Sequence, residues 1–110
     1  FGVHIDFLPS LQFTEYDESY SGEFKHHNDM IWMTDNDRHR KLSCVIHLTD
    51  PNEFEGCQLN LECESGDFPN HDNDRGTVVW FPSMRTHWVT PITKGRRNSV
   101  VCWFEGPQWR

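Results

Sequence analysis

The 110-residue chain lacks any apolar run near the ~20 residues that a membrane-spanning helix needs, and no signal peptide is visible. Positive charge is scarce as well. Ten Lys and Arg stand against 17 Asp and Glu, for a net charge of -7. That balance argues against nucleic-acid and membrane partners, which select a basic face. Most of the acid excess reads as solubilising surface. Cysteine is limited to Cys44, Cys57, Cys63 and Cys102, with no CxxC pair. This disfavours a structural zinc site and predicts reduced thiols in a cytoplasmic compartment. No segment keeps a helical period over three turns, and there is no internal repeat or domain boundary. The length allows a single domain, 1–110. The chain opens on Phe1 rather than Met, so we expect a core fragment of a longer domain, without its N-terminal helices.

What the sequence does carry is period two. The stretch 11–17 sets Leu11 and Phe13 against Gln12, Thr14 and Tyr16. Residues 41–50 are β-branched and apolar on both faces. In 57–63, Cys57, Leu59, Leu61 and Cys63 share one side, and Cys57 and Cys63 read as small apolar residues. Stretches 76–83, 86–92 and 97–104 complete the set. Short strands bounded by Gly, Pro, Asp and Asn predict an all-β sandwich or barrel, with a double-sheet jelly roll the natural form. Between them, 34–40 reads as a charged loop, 49–56 as turn chemistry, 64–76 as a long polar loop and 93–97 as a tight turn with Gly95 free for positive φ. The acidic clusters in two loops miss calcium-loop spacing and read as solvated turns.

Seven histidines are more than packing needs. With 17 acidic residues, His-x-acid should arise about once by chance, and it occurs at both His4–Asp6 and His27–Asp29. Chemistry offers a test. Two histidines and one carboxylate on one face of a metal leave positions open for substrate and oxygen. Residues i and i+2 of a strand point the same way, ~7 Å apart at Cα, so His-x-Asp supplies two ligands. His87, on a strand with Val89 beside it and Trp88 opposite, can supply the third. Ten residues on, Arg97 and Ser99 share a face and suit a carboxylate, which arginine binds bidentately. His26 should face away from His27. His4, His39 and His71 read as surface or loop residues, and Trp32, Trp80, Trp88 and Trp103 as core or pocket wall.

From about Leu11 to Pro107 the sequence resembles the prolyl 4-hydroxylase-like family of 2-oxoglutarate- and iron(II)-dependent dioxygenases. A first block is Tyr16, Gly22, Phe24, His27 and Asp29. A second is RKLSCVIHLTDPNEFEG. A third runs Gly76, Phe81, Pro82, Ser83, His87, Val89, Pro91, Ile92, Gly95, Arg97, Ser99 and Trp103. His47 stands where tyrosine is common, and Cys57 where a second glycine often follows the first. The resemblance implies a double-stranded β-helix (jelly roll, cupin-like) and an oxygenase core domain. It implies Fe(II) on His27, Asp29 and His87, with 2-oxoglutarate as cosubstrate, O2, and ascorbate as a further cofactor. Arg97 would hold the far carboxylate of 2-oxoglutarate, helped by Ser99, with Tyr16 and His47 nearby. Arg96 would face solvent or the rim.

The expected function is hydroxylation of an unactivated C–H bond in a prolyl or other amino-acid side chain, free or peptidyl, with release of succinate and CO2. A carboxylate at position 29 favours hydroxylation over halogenation, which needs that place for chloride. Loops 30–40 and 64–76 would shape specificity. The alternatives are a cupin-type metalloenzyme that does not use 2-oxoglutarate, which has no need of Arg97, and a non-catalytic jelly-roll binding module, which has no need of the triad.

Overall fold

The alternating stretches become strands because branched and aromatic side chains fill a half-buried pleated surface. The computed structural model describes residues 5, 7–27, 29, 38–63, 66–68 and 73–107. Nine strands follow in order: β1 (Phe7–Asp17), β2 (Phe24–His27), β3 (Arg38–His47), β4 (Phe54–Gly56), β5 (Leu59–Cys63), β6 (Gly66–Phe68), β7 (Val78–Pro82), β8 (His87–Val89) and β9 (Ile92–Pro107). They form two antiparallel sheets. The larger runs β1-β9-β3-β7, with β4 also paired to β9, and the smaller runs β2-β8-β5-β6. This is the all-β double-sheet form that the alternation predicted and the double-stranded β-helix that the resemblance implied. Among the described residues no helix is long and apolar enough to cross a membrane.

The core lies between the sheets. Val45, Val79 and Phe81 of the larger sheet meet Leu59, Leu61 and Val89 of the smaller one, with Tyr16, Cys57 and Ile92 in the same cluster. Facing polar residues enter by period two. Ser43 and His47 leave β3, and Arg97, Ser99 and Trp103 leave β9, all buried. On the outer face of the larger sheet the β1 side is open, with Leu11 and Phe13 65% and 61% exposed, whereas Cys44 and Cys102 on that face are buried.

Several local expectations change. Residues 93–97 are not a tight turn. They run inside β9, whose first part pairs with β4 and whose later part pairs with β1 and β3. Gly95 marks the change of partner with φ +82, and a Cβ there would lie 2.2 Å from the Glu53 carbonyl oxygen. The charged loop 34–40 gives way to strand from Arg38, so His39 is a half-buried strand residue rather than a loop residue. Likewise β6 interrupts the polar loop 64–76. Trp80 is neither core nor pocket wall: it sits on the outer face, its ring 5.5 Å from that of Phe104. Cys57 does not continue the alternation of β5. It follows Gly56, and both adopt positive φ, 53° and 74°. His4, Asp6, Trp32, His71 and the side chains of His26 and Cys63 lie outside the described residues.

Candidate metal centre and carboxylate pocket

His27 and His87 are register partners across β2 and β8, so their side chains leave one face at neighbouring positions. Their ring centroids are 4.1 Å apart. Asp29 follows β2 and is pinned there by its backbone N–H, which donates to the Ser83 carbonyl at 2.8 Å. Its Oδ1 lies 3.3 Å from His87 Nε2 and 3.6 Å from His27 Nε2. One ligand atom from each of the three residues lies within 4.8 Å of the others.

The backbone sets the tautomers. His27 Nδ1–H donates to the Lys25 carbonyl at 2.6 Å, and His87 Nδ1–H to the Arg85 carbonyl at 3.0 Å. A carbonyl oxygen can only accept, so both Nε2 lone pairs face Asp29, the arrangement that metal-bound imidazole needs. Ser43 Oγ donates to Asp29 Oδ2 at 2.5 Å and lies 2.9 Å from Ser83 Oγ. Thus Oδ2 is held by the Ser43 hydroxyl, itself in contact with Ser83, while Oδ1 faces the imidazoles. Burial pushes Asp29 up, but the hydrogen bond and charge that a protonated His87 supplies when no metal takes its Nε2 lone pair, with the Ser43 hydroxyl, outweigh it and hold the carboxyl below its ordinary range. Burial lowers His27. The three side chains therefore fit a divalent metal: two neutral nitrogens and one anionic oxygen converge, with their second atoms already engaged.

Arg97 lines the same cavity, of about 250 Å³. It is 3% exposed, and among the described residues it has no carboxylate partner. Its guanidinium donates to His47 Nδ1 at 3.2 Å and to Cys57 Sγ at 3.8 Å, and lies 5.3 Å from the Tyr16 ring centre. Since guanidinium only donates, His47 must carry its proton on Nε2. The strand register explains this cluster: Tyr16 pairs with Arg97, and Ser99 lies between Thr14 and His47. Burial raises the Tyr16 hydroxyl, partly offset by the Arg97 charge. Tyr16 and Ser99 line the cavity beside Arg97, while His47 reaches it through that guanidinium. Arg96 points the other way, to Asp17 at 2.9 Å.

One residue of the site, Arg40, escaped the sequence reading, while Trp103, expected as core or pocket wall, is wall. Arg40 lines the cavity, its guanidinium 4.0 Å from the centre of the Trp103 ring. Strict alternation from Ser43 would give that face to Lys41. A register shift between Arg40 and Leu42 adds one residue and reverses the parity. Trp103 supplies the platform for Arg40 and part of the wall. The only advance signal for Arg40 was a cationic RHRK run before the strand.

The family model of the 2OG-Fe(II) oxygenase superfamily matches residues 11–105. A PKHD-type hydroxylase of Verminephrobacter eiseniae is 30% identical over 106 residues, covering 89% of this chain and 46% of that protein. One from Acinetobacter baumannii is 34% identical over 100 residues, covering 89% and 43%. The chain thus spans less than half the length of these curated relatives. A Pseudomonas putida prolyl-4-hydroxylase structure superposes with a TM-score of 0.70 at 26% identity, over 91% of this chain and 53% of that one. A viral collagen prolyl hydroxylase from Paramecium Bursaria Chlorella virus-1 reaches 0.71 at 15% identity, over 93% and 57%, a likeness of fold alone.

Proposed function

Because the chain belongs to the 2OG-Fe(II) oxygenase superfamily, we propose that it forms the core of a hydroxylase that uses iron(II), 2-oxoglutarate and O2. One observation carries this reading. A single cavity is lined by His27, Asp29 and His87, whose ligand atoms converge, and by a buried guanidinium that has no carboxylate of its own among the described residues. His27, Asp29 and His87 would hold the metal, and it would supply the oxidation of an unactivated C–H bond, with succinate and CO2 released. The chain's own residues bind and orient. Arg97 takes the far carboxylate of 2-oxoglutarate in a water-poor setting where a charge-assisted pair is strong. Tyr16 and Ser99 flank that carboxylate, and His47 and Cys57 hold the guanidinium from behind. A cupin-type enzyme without this cosubstrate is not favoured, because it would bury the Arg97 cation with nothing to pair it.

The substrate class we propose is a prolyl or other amino-acid side chain, peptidyl or free. One structural neighbour of 20% identity was solved with a peptide fragment bound. At the mouth, Arg40 offers donors to a backbone carbonyl or a carboxylate. Three free buried thiols, Cys44, Cys57 and Cys102, favour a reducing, cytoplasmic compartment. The test is calorimetric titration of 2-oxoglutarate into Mn(II)-loaded protein. Arg97→Ala should lose about 100-fold in 2-oxoglutarate affinity, roughly the 3 kcal/mol expected of a buried charged pair, with Mn(II) affinity within a few-fold of the parent. Arg40→Ala should leave both unchanged and raise the KM of the substrate. Equal loss of metal and cosubstrate binding in Arg97→Ala would remove the assigned role.

A further inference from the structure

Trp103 is 9% exposed and lines the cavity, yet its indole N–H has no hydrogen-bond partner among the described residues. A buried donor left unmade costs about 1–3 kcal/mol, so its surroundings matter. Trp103 is the register partner of Ser43 across β9 and β3, and Ser43 is the residue that grips Asp29 Oδ2. Register partners share a face with Cβ atoms ~5 Å apart, which brings the indole beside the Asp29 carboxylate. The N–H also helps hold the Asp29 carboxyl down, although it stands outside hydrogen-bonding geometry. The opposite duty of the ring is visible too, since its face carries the Arg40 guanidinium at 4.0 Å.

We propose that Trp103 is a positioning residue for Asp29. Its indole N–H donates to the Asp29 carboxylate once a divalent metal is bound, as the second donor beside Ser43, so that one oxygen stays with the protein and the other with the metal. The inference rests on the metal-site reading above. It also gives one side chain contact with both ends of the reaction space, the metal ligand through its edge and the pocket mouth through its face.

The test uses Zn(II), which is diamagnetic, and nitrogen-15 spectra of the indole N–H groups. The Trp103 resonance is identified as the one missing in Trp103→Phe, a variant that keeps a ring under Arg40. Zn(II) should move that resonance downfield in the unsubstituted protein, and Trp103→Phe should weaken Co(II) affinity about tenfold, the low end for loss of an outer hydrogen bond. A Trp103 resonance that stays in place while His27 and His87 imidazole signals report Zn(II) binding would overturn the inference and leave the metal site standing. Movement on adding 2-oxoglutarate but not on adding Zn(II) would also overturn it. Zn(II) that binds equally well to His27→Ala would overturn the metal-site reading and this inference together. The spectrum of the unsubstituted protein decides the matter even if Trp103→Phe does not fold.

Discussion

At the scale of the residue, each imidazole of the centre is spoken for on its Nδ1 side by a carbonyl two residues back, so proton binding can occur only at the Nε2 that faces Asp29. Burial holds His27 below its ordinary value of 6.5. The unfolded chain therefore takes up this proton first. The stability of the metal-free protein should fall as pH drops through 6.5 towards the lower folded value, and level off once both states are protonated. Asp17 is held down to about 2, chiefly by the Ser19 amide and then the Arg96 guanidinium, from an ordinary 3.8. It adds a second loss of stability as pH falls through that lower window. Thermal midpoints measured against pH should show both declines, and His27→Ala should flatten the upper one while leaving the lower. An upper decline that persists in His27→Ala would assign it to another group. The sequence expected His27, Asp29, His87 and Arg97 through the i, i+2 spacing taken with the family resemblance, and the structure brings these side chains to one cavity. Arg40 was not expected, because one extra residue in β3 reverses the alternation and nothing local announces it. Cys57 was misread as an alternating strand residue. Its φ of 53° is a conformation that sequence periodicity assigns to glycine.

At the scale of the element, β9 does more than its sequence suggests. The stretch Thr93–Arg97 carries a glycine between charged residues and reads as a turn, yet the chain runs straight through it. The reason is that β4, β1 and β3 all offer ladder partners to one long strand, so tertiary pairing overrides local turn chemistry. Gly95 keeps its expected positive φ but spends it on a change of pairing partner. Gly95→Ala should therefore destabilise the protein by about 3 kcal/mol, combining left-handed strain with a contact against backbone that cannot swing aside. Chemical denaturation measures this. A loss below about 1 kcal/mol would mean that the junction of β4 and β9 yields easily. The same junction matters to the site, because Arg97 follows Gly95 by two residues and takes its direction from the register with Tyr16. Boundaries near 34–40 and 64–76 were illegible for a simpler reason: β3 begins and β6 lies in polar sequence without an apolar alternation.

At the scale of the whole molecule, the centre draws on both sheets. His27 and His87 belong to the smaller sheet, whereas Ser43, which orients Asp29, belongs to the larger. A metal bound there ties the two sheets through the Asp29 carboxylate. Mn(II) at 100 times its dissociation constant should stabilise the fold by about 2.7 kcal/mol, seen as a rise in thermal midpoint that is absent in Asp29→Ala. No rise on saturation would mean that the ion binds elsewhere or binds the unfolded chain equally. The fold class followed from alternation because strands such as β7 and β8 alternate buried and more exposed residues, while the pairing order of the strands has no such signature. The central claim is that one cavity holds a metal on His27, Asp29 and His87 and a 2-oxo dicarboxylate on Arg97. Anaerobic titration of the protein with iron(II) and then 2-oxoglutarate tests it most directly, through the weak visible charge-transfer band of the chelate. The band should appear with the parent protein, vanish in His27→Ala, and require far more 2-oxoglutarate in Arg97→Ala. A folded parent protein that shows no band with both components present, or a His27→Ala variant that keeps it, would contradict the account.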